Sequence, residues 1–171
     1  MAKICQVLKH PFKTLSHLFQ KRKINRFLNN ISLEDIDSID GYDFELFVSV
    51  ILENCGFKCD LTTKSKDNGV DILAKKGGII LAVQTKLYYN HSVGNKGVQE
   101  VYTAKNFYGA QIAIVVTNTT FSKPAITMAQ KLNVGLIGRK ELGEIIKNNR
   151  KQNELFFDQL IYEKLKGLNN E

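Results

Sequence analysis

No acidic residue precedes Glu34 in this chain, whereas Lys3, Lys9, Lys13, Lys21, Arg22, Lys23 and Arg26 all stand before it. Those basic residues account for the whole formal charge of +7, so the remainder is close to neutral. An arm of one sign suits a phosphate backbone, an anionic membrane surface or a partner protein. Also missing is any apolar run near the roughly 20 residues a transmembrane helix needs. Lys9, His10, Lys13 and His17 interrupt the N-terminal apolar residues, which argues against a secretory signal, and a cytoplasmic location is expected. Cysteine is scarce and odd in number. Cys5, Cys55 and Cys59 build no disulfide framework, and no second Cys or His pair stands near to complete a zinc site. Cys55 is expected as a small buried residue near a helix end, and Cys59 as a strand residue.

What is present is an ordinary globular composition: 171 residues, 43% hydrophobic and 24% charged. That length suits one domain with a real core and a modest extension. Residues 1–40 read as a basic amphipathic extension followed by an acidic linker or single helical turn. In the extension Ile4, Val7, Leu8, Phe12, Leu15, Leu18 and Phe19 recur at helical spacing, with Pro11 expected to kink the helix. The main domain spans 41–150, and a C-terminal helix, packed on it or trailing it, occupies 151–171. Within the domain the pattern predicts a helix over 43–54, stopped by Gly56, then a strand over 57–62 and a polar loop over 63–69. Strands over 70–76 and 79–87 flank Gly77-Gly78 as a hairpin. A helix over 98–107, a mostly apolar strand over 111–117, and a helix to 132 capped by Ser122 follow. A strand over 134–137 and helices over 140–148 and 154–165 complete an α/β fold: a mixed sheet flanked by helices.

The hairpin carries the chemistry. On its second strand Gln84 and Lys86 share a face. If Gly77-Gly78 is a two-residue turn, Lys76 pairs with Ile79 and Asp71 falls opposite Gln84. A carboxylate, an amide oxygen and an ammonium then converge at one end. A hard divalent cation such as Mg²⁺ takes oxygen ligands and needs only one or two carboxylates beside water and phosphate. Asp71, the Gln84 side-chain carbonyl and the Thr85 backbone carbonyl are its candidate ligands. Lys86 would orient water or neutralise developing charge, and Glu45 on the preceding helix would be an outer carboxylate. The Gly94-Asn95-Lys96-Gly97 loop suits either phosphate binding or a simple turn. Lys64, Lys66, Lys96 and Asn118 are candidate DNA contacts, although Asn118, like Gln99, also reads as a structural polar group. His91 has no catalytic partner in the sequence.

These motifs, taken in order, resemble the Mrr-like branch of restriction endonucleases within the PD-(D/E)xK nuclease superfamily. The matching pieces are Gly41-Tyr42-Asp43-Phe44-Glu45, Asp67-Asn68-Gly69-Val70-Asp71, Val83-Gln84-Thr85-Lys86, Val93 through Glu100, Val116-Thr117-Asn118 and Phe121 through Ala125. The resemblance implies a restriction-endonuclease-like fold and Mg²⁺-dependent cleavage of double-stranded, often modified, DNA in host defence, with Mn²⁺ as a substitute metal. It also implies Asp71 as metal-binding acid, Gln84 at the second acidic position, Lys86 as catalytic lysine and Glu45 as the helix acid that orders the site. Glutamine at the second position removes a charge and makes metal binding more dependent on substrate phosphate. Two-strand cleavage by one site per chain implies a homodimer.

Overall fold

The computed structural model describes residues 31–62 and 69–149, with Gln159, Leu160 and Glu163. The expected N-terminal helix, Lys64, Lys66 and most of the C-terminal helix lie outside the described residues.

The acidic stretch forms one helical turn, α1 (Leu33–Ile36). Ser32 and Asp35 make a reciprocal capping box: the Asp35 N–H donates to Ser32 Oγ at 3.3 Å, and the Ser32 N–H to Asp35 Oδ2 at 2.9 Å. The turn is anchored as well as capped, because Ile31, Ile36 and Ile39 belong to the main core. Helix α2 (Gly41–Asn54) starts two residues before the expected position. Asp40 makes the earlier start possible by accepting the Asp43 N–H at 2.8 Å. Nearly all of α2 from Phe44 onward is buried, more than one amphipathic face requires.

Strands β1 (Lys58–Leu61), β2 (Ile72–Lys76) and β3 (Ile79–Lys86) form an antiparallel meander. Lys76 pairs with Ile79 as expected. Gly77 (φ +56°) and Gly78 (φ +84°) both adopt the left-handed backbone that a type I′ turn demands. Helix α3 (Asn95–Phe107) leads to β4 (Ile112–Thr117), and α4 (Lys123–Leu132) to β5 (Val134–Ile137). Ser122 caps α4 through the Ala125 N–H, with Pro124 in the first turn, where its missing donor costs nothing. Helix α5 (Arg139–Asn149) follows.

The sheet order is β1-β2-β3-β4-β5, with β3, β4 and β5 mutually parallel. Side-chain alternation sorts the interior into two cores. Ile72, Ala74, Leu81, Val83, Ile114, Val116 and Ile137 meet α2 and α5, and Leu160 joins them. Val70, Ala82, Ala113, Val115 and Val134 meet α3 and α4. Large side chains such as Phe44, Leu46 and Leu52, each fully buried, stabilise the first core by about 1.5–3 kcal/mol apiece. The second core is built from Ala and Val, so α3 and α4 approach the sheet closely. Gln84 and Lys86 continue the row of Ala82 and therefore project on the α3 side. β3 and β4 both end, at Lys86 and Thr117, on one edge of the sheet, and the Thr117 hydroxyl donates to the Lys86 carbonyl at 2.6 Å.

Candidate active site

Asp71 immediately precedes β2 and is buried. A regular ladder would set it directly opposite Gln84. Instead its N–H donates at 2.9 Å to the carbonyl of Val83, the residue already paired with Ile72. The chain is kinked there as at a β-bulge, a device that re-aims a side chain at a strand end. Asp71 and Gln84, expected from strand parity to meet, therefore do so by a different local geometry, whereas the Lys86 ammonium is found against Glu100. Asp71 Oδ2 accepts three hydrogen bonds: from the Thr85 N–H at 2.6 Å, the Thr85 hydroxyl at 2.8 Å and Gln84 Nε2 at 2.5 Å. Gln84 and Thr85 are themselves buried. Bonds to a carboxylate are short and strong, so this oxygen fixes the end of the hairpin.

Gln84 Nε2 also donates to the Thr85 carbonyl, at 3.2 Å. One amide N–H₂ thus bridges the two oxygens expected to hold a cation. It supplies the positive partial charge that this pair of oxygens requires. The same amide presenting Oε1 would complete a set of three hard oxygens, the donor chemistry that Mg²⁺ or Mn²⁺ prefers. The residues present therefore fit such an ion. Among the described residues no group of three or more Asp, Glu, His or Cys could hold a metal. Among the described residues, the oxygens beside the Asp71 carboxylate are the neutral ones of Gln84 and Thr85.

Lys86 reaches from the end of β3 toward α3. Its Nζ lies 2.8 Å from Glu100 Oε2, and Lys96 approaches the other Glu100 oxygen at 3.8 Å. Lys96 is almost fully exposed, as a DNA contact would be. Glu45 stands half-buried on the second turn of α2, the helix on the opposite side of the sheet from α3. Asn118 is 2% exposed, and its amide is committed within the protein. Oδ1 accepts the Tyr88 N–H at 2.9 Å, while Nδ2 donates to the Tyr88 carbonyl at 2.8 Å and to Asp37 Oδ1 at 2.9 Å. Its structural reading thus has a direct physical basis, and its side chain presents no open group to DNA.

Arg139 joins the same network, donating from Nη1 to Asp37 Oδ1 at 2.8 Å and to the Asn118 carbonyl at 3.0 Å. Burial alone would raise the Asp37 carboxyl. The hydrogen bonds from Arg139 and Asn118 and the Arg139 charge outweigh it and hold Asp37 below the usual carboxylate range. The Asp37 bond in turn raises Arg139. Asp43, in the first turn of α2, behaves oppositely: burial, aided by the nearby Asp40 charge, pushes its carboxyl up to about 6.

Glu100 and the Thr85 hydroxyl are the site groups that sequence reasoning did not single out. A signal for Glu100 existed. It stands one turn after Gly97, on the helix covering the face to which Lys86 belongs. For the Asp37–Arg139 contact no local pattern exists, because 102 positions separate the two residues.

Fold and site define a class: a mixed sheet with helices on both faces, carrying Asp71, Gln84 and Lys86 at one end of a central hairpin. Residues 36–146 match the restriction endonuclease family Mrr_cat. The chain belongs to that family. No curated protein matches it. Among solved structures, a protein of unknown function, AF1548, is 23% identical with a TM-score of 0.51, over 57% of each chain. The DNA modification-dependent restriction endonuclease AspBHI is 14% identical with a TM-score of 0.56, over 85% of this chain and 40% of its own. MspJI in complex with a 27-mer oligonucleotide is 20% identical with a TM-score of 0.48, over 92% of this chain and 37% of its own. The chain thus spans between about a third and somewhat over half of the length of these structures. AF1548 and AspBHI share its fold.

Proposed function

We propose that this protein is a metal-dependent endonuclease that hydrolyses phosphodiester bonds of double-stranded DNA in restriction or defence. Mg²⁺ is the proposed cofactor, with Mn²⁺ able to replace it. The observation that carries this reading is the closure of Gln84 and Thr85 around one Asp71 oxygen, immediately before Lys86, within the family-matched segment.

The Asp71 carboxylate, the Thr85 carbonyl and the Gln84 side-chain oxygen would hold the ion, with Glu45 as an outer carboxylate. When bound, the ion supplies Lewis-acid polarisation of the scissile phosphate and a more acidic water. Lys86, two residues after Gln84, would bring an ammonium to this cluster, to orient the water or offset charge gathering on the phosphate oxygens. The single carboxylate among these ligands makes loading depend on the DNA phosphate itself. Lys96, with Lys64 and Lys66, would follow the backbone of the duplex. A modified duplex is included as substrate because AspBHI, whose fold the chain shares, is a DNA modification-dependent enzyme.

The test is cleavage of methylated and unmethylated supercoiled plasmid in Mg²⁺. Nicking or linearisation is expected from the full chain. Asp71→Ala and Lys86→Ala should each lower the rate by about two orders of magnitude or more, in line with the loss of a preorganised electrostatic group. Cleavage that survives both substitutions would overturn the site assignment.

A further inference from the structure

Lys86 is held by a residue that the proposed reaction has not used. Its ammonium and Glu100 Oε2 lie 2.8 Å apart, yet Glu100 Oε2 has no aligned hydrogen bond. Charge attraction steers the ammonium here without locking its direction. The two side chains are 22% and 28% exposed. Pairs with that much solvent contribute little stability, which leaves the close fit around this one to be explained.

Two glycines make the fit. A Cβ at Gly97 would sit 3.4 Å from Lys86 Cε and 3.2 Å from Val93 Cγ1, so the lysine stem passes where a side chain would crowd it. Gly69, with φ +87°, lies against the Glu100 backbone, and a Cβ there would stand 2.6 Å from the Glu100 carbonyl oxygen. Two residues after Gly69 comes Asp71. The loop that delivers the carboxylate and the helix that steers the lysine are thus in direct contact at Glu100.

We propose that Glu100 is the positioning residue of Lys86. It holds the ammonium toward α3 and so keeps it from collapsing onto the Asp71 carboxylate, the charged group a cation would use. The proposal rests on the nuclease reading. A lysine on a flexible four-carbon stem needs such a counter-charge, because without one it takes the nearest anion. With Glu100 neutralised, Lys86 would turn to the Asp71 carboxylate on the same hairpin and compete there with the metal.

The experiment uses the full chain and its Glu100→Gln and Glu100→Asp variants. Cleavage rate is measured across Mg²⁺ concentrations, DNA affinity by anisotropy without metal, and Mg²⁺ binding by thermal shift. Glu100→Gln should cleave about 10- to 100-fold more slowly, the scale of a misplaced catalytic group. Its half-saturating Mg²⁺ concentration should rise and its Mg²⁺ thermal shift shrink, while DNA affinity stays equal or tightens. Glu100→Asp should recover part of the rate. In a Lys86→Ala background, Glu100→Gln should no longer alter the Mg²⁺ thermal shift. Wild-type cleavage and Mg²⁺ dependence in Glu100→Gln would overturn the proposal alone. So would an equal weakening of the Mg²⁺ shift in both backgrounds, because Glu100 would then act other than through Lys86. No cleavage by the unaltered chain on any plasmid would overturn the nuclease reading and this proposal together.

Discussion

Gln84 stands where the sequence pattern allows an acid, and its amide nitrogen meets both Asp71 Oδ2 and the Thr85 carbonyl. Replacing it by glutamate converts a bridging donor into a third acceptor and adds a like charge in a buried place. Gln84→Glu should therefore destabilise the metal-free protein by about 2–4 kcal/mol, the range for leaving buried charges without partners. Mg²⁺ should return most of that loss and bind more tightly than to the wild type. Melting curves in chelator and in Mg²⁺ check this; equal curves in chelator for the two proteins would contradict it. Alternation put Gln84 and Lys86 on one face of β3, but it did not announce the Thr85 hydroxyl at Asp71 or Glu100 at Lys86. The roles of individual atoms were not readable either, because alternation says which face a side chain takes and nothing of which amide atom turns inward.

The elements near the site show what a pattern can and cannot foresee. The Gly77-Gly78 pair adopts two left-handed residues, and the register expected for a two-residue turn there, Lys76 opposite Ile79, is the one formed. The kink at Asp71 was invisible, because a bulge leaves no mark in hydrophobic alternation. Helix α3 begins at Asn95, three residues before its first apolar position, because Gly94 starts it with no side-chain cap to announce it. Helix α2 carries a consequence of its own. In its first turn Asp43 is 8% exposed, and its carboxyl is raised from 3.8 to about 6. The folded chain therefore keeps this proton to higher pH than the unfolded chain. Its contribution is fully present below about pH 4 and is lost as pH rises through 6, above which the ionised group penalises the fold. Asp43→Asn should raise stability at pH 8 by at most about 3 kcal/mol, the equivalent of a two-unit shift, and leave it nearly unchanged at pH 4. Urea titrations at the two pH values measure the difference.

Across the whole molecule, one polar network ties α1, the segments after β3 and β4, and the start of α5. Asn118 is its hub, with bonds to Tyr88 and Asp37 and a backbone contact from Arg139. Asn118→Ala would leave the Tyr88 N–H and carbonyl without their side-chain partner and loosen the Arg139–Asp37 pair. A loss of about 1–3 kcal/mol is expected by chemical denaturation, as for partly buried hydrogen bonds left without a partner. The two-core architecture could be read from the order of elements, because each apolar stripe must face something. The clamp could not, since its members gain meaning only when distant segments meet. Among the described residues no helix is long and apolar enough to cross a membrane.

That clamp also sets a clock. The β2–β3 hairpin brings Asp71, Gln84, Thr85 and Lys86 together within a short loop of chain, and contacts so local close quickly. The Asp37–Arg139 contact spans 102 positions and cannot form on a ribosome until Arg139 has emerged. The hairpin's own contacts are therefore within reach of a nascent chain long before the Asp37–Arg139 contact, which waits on the final third of the domain.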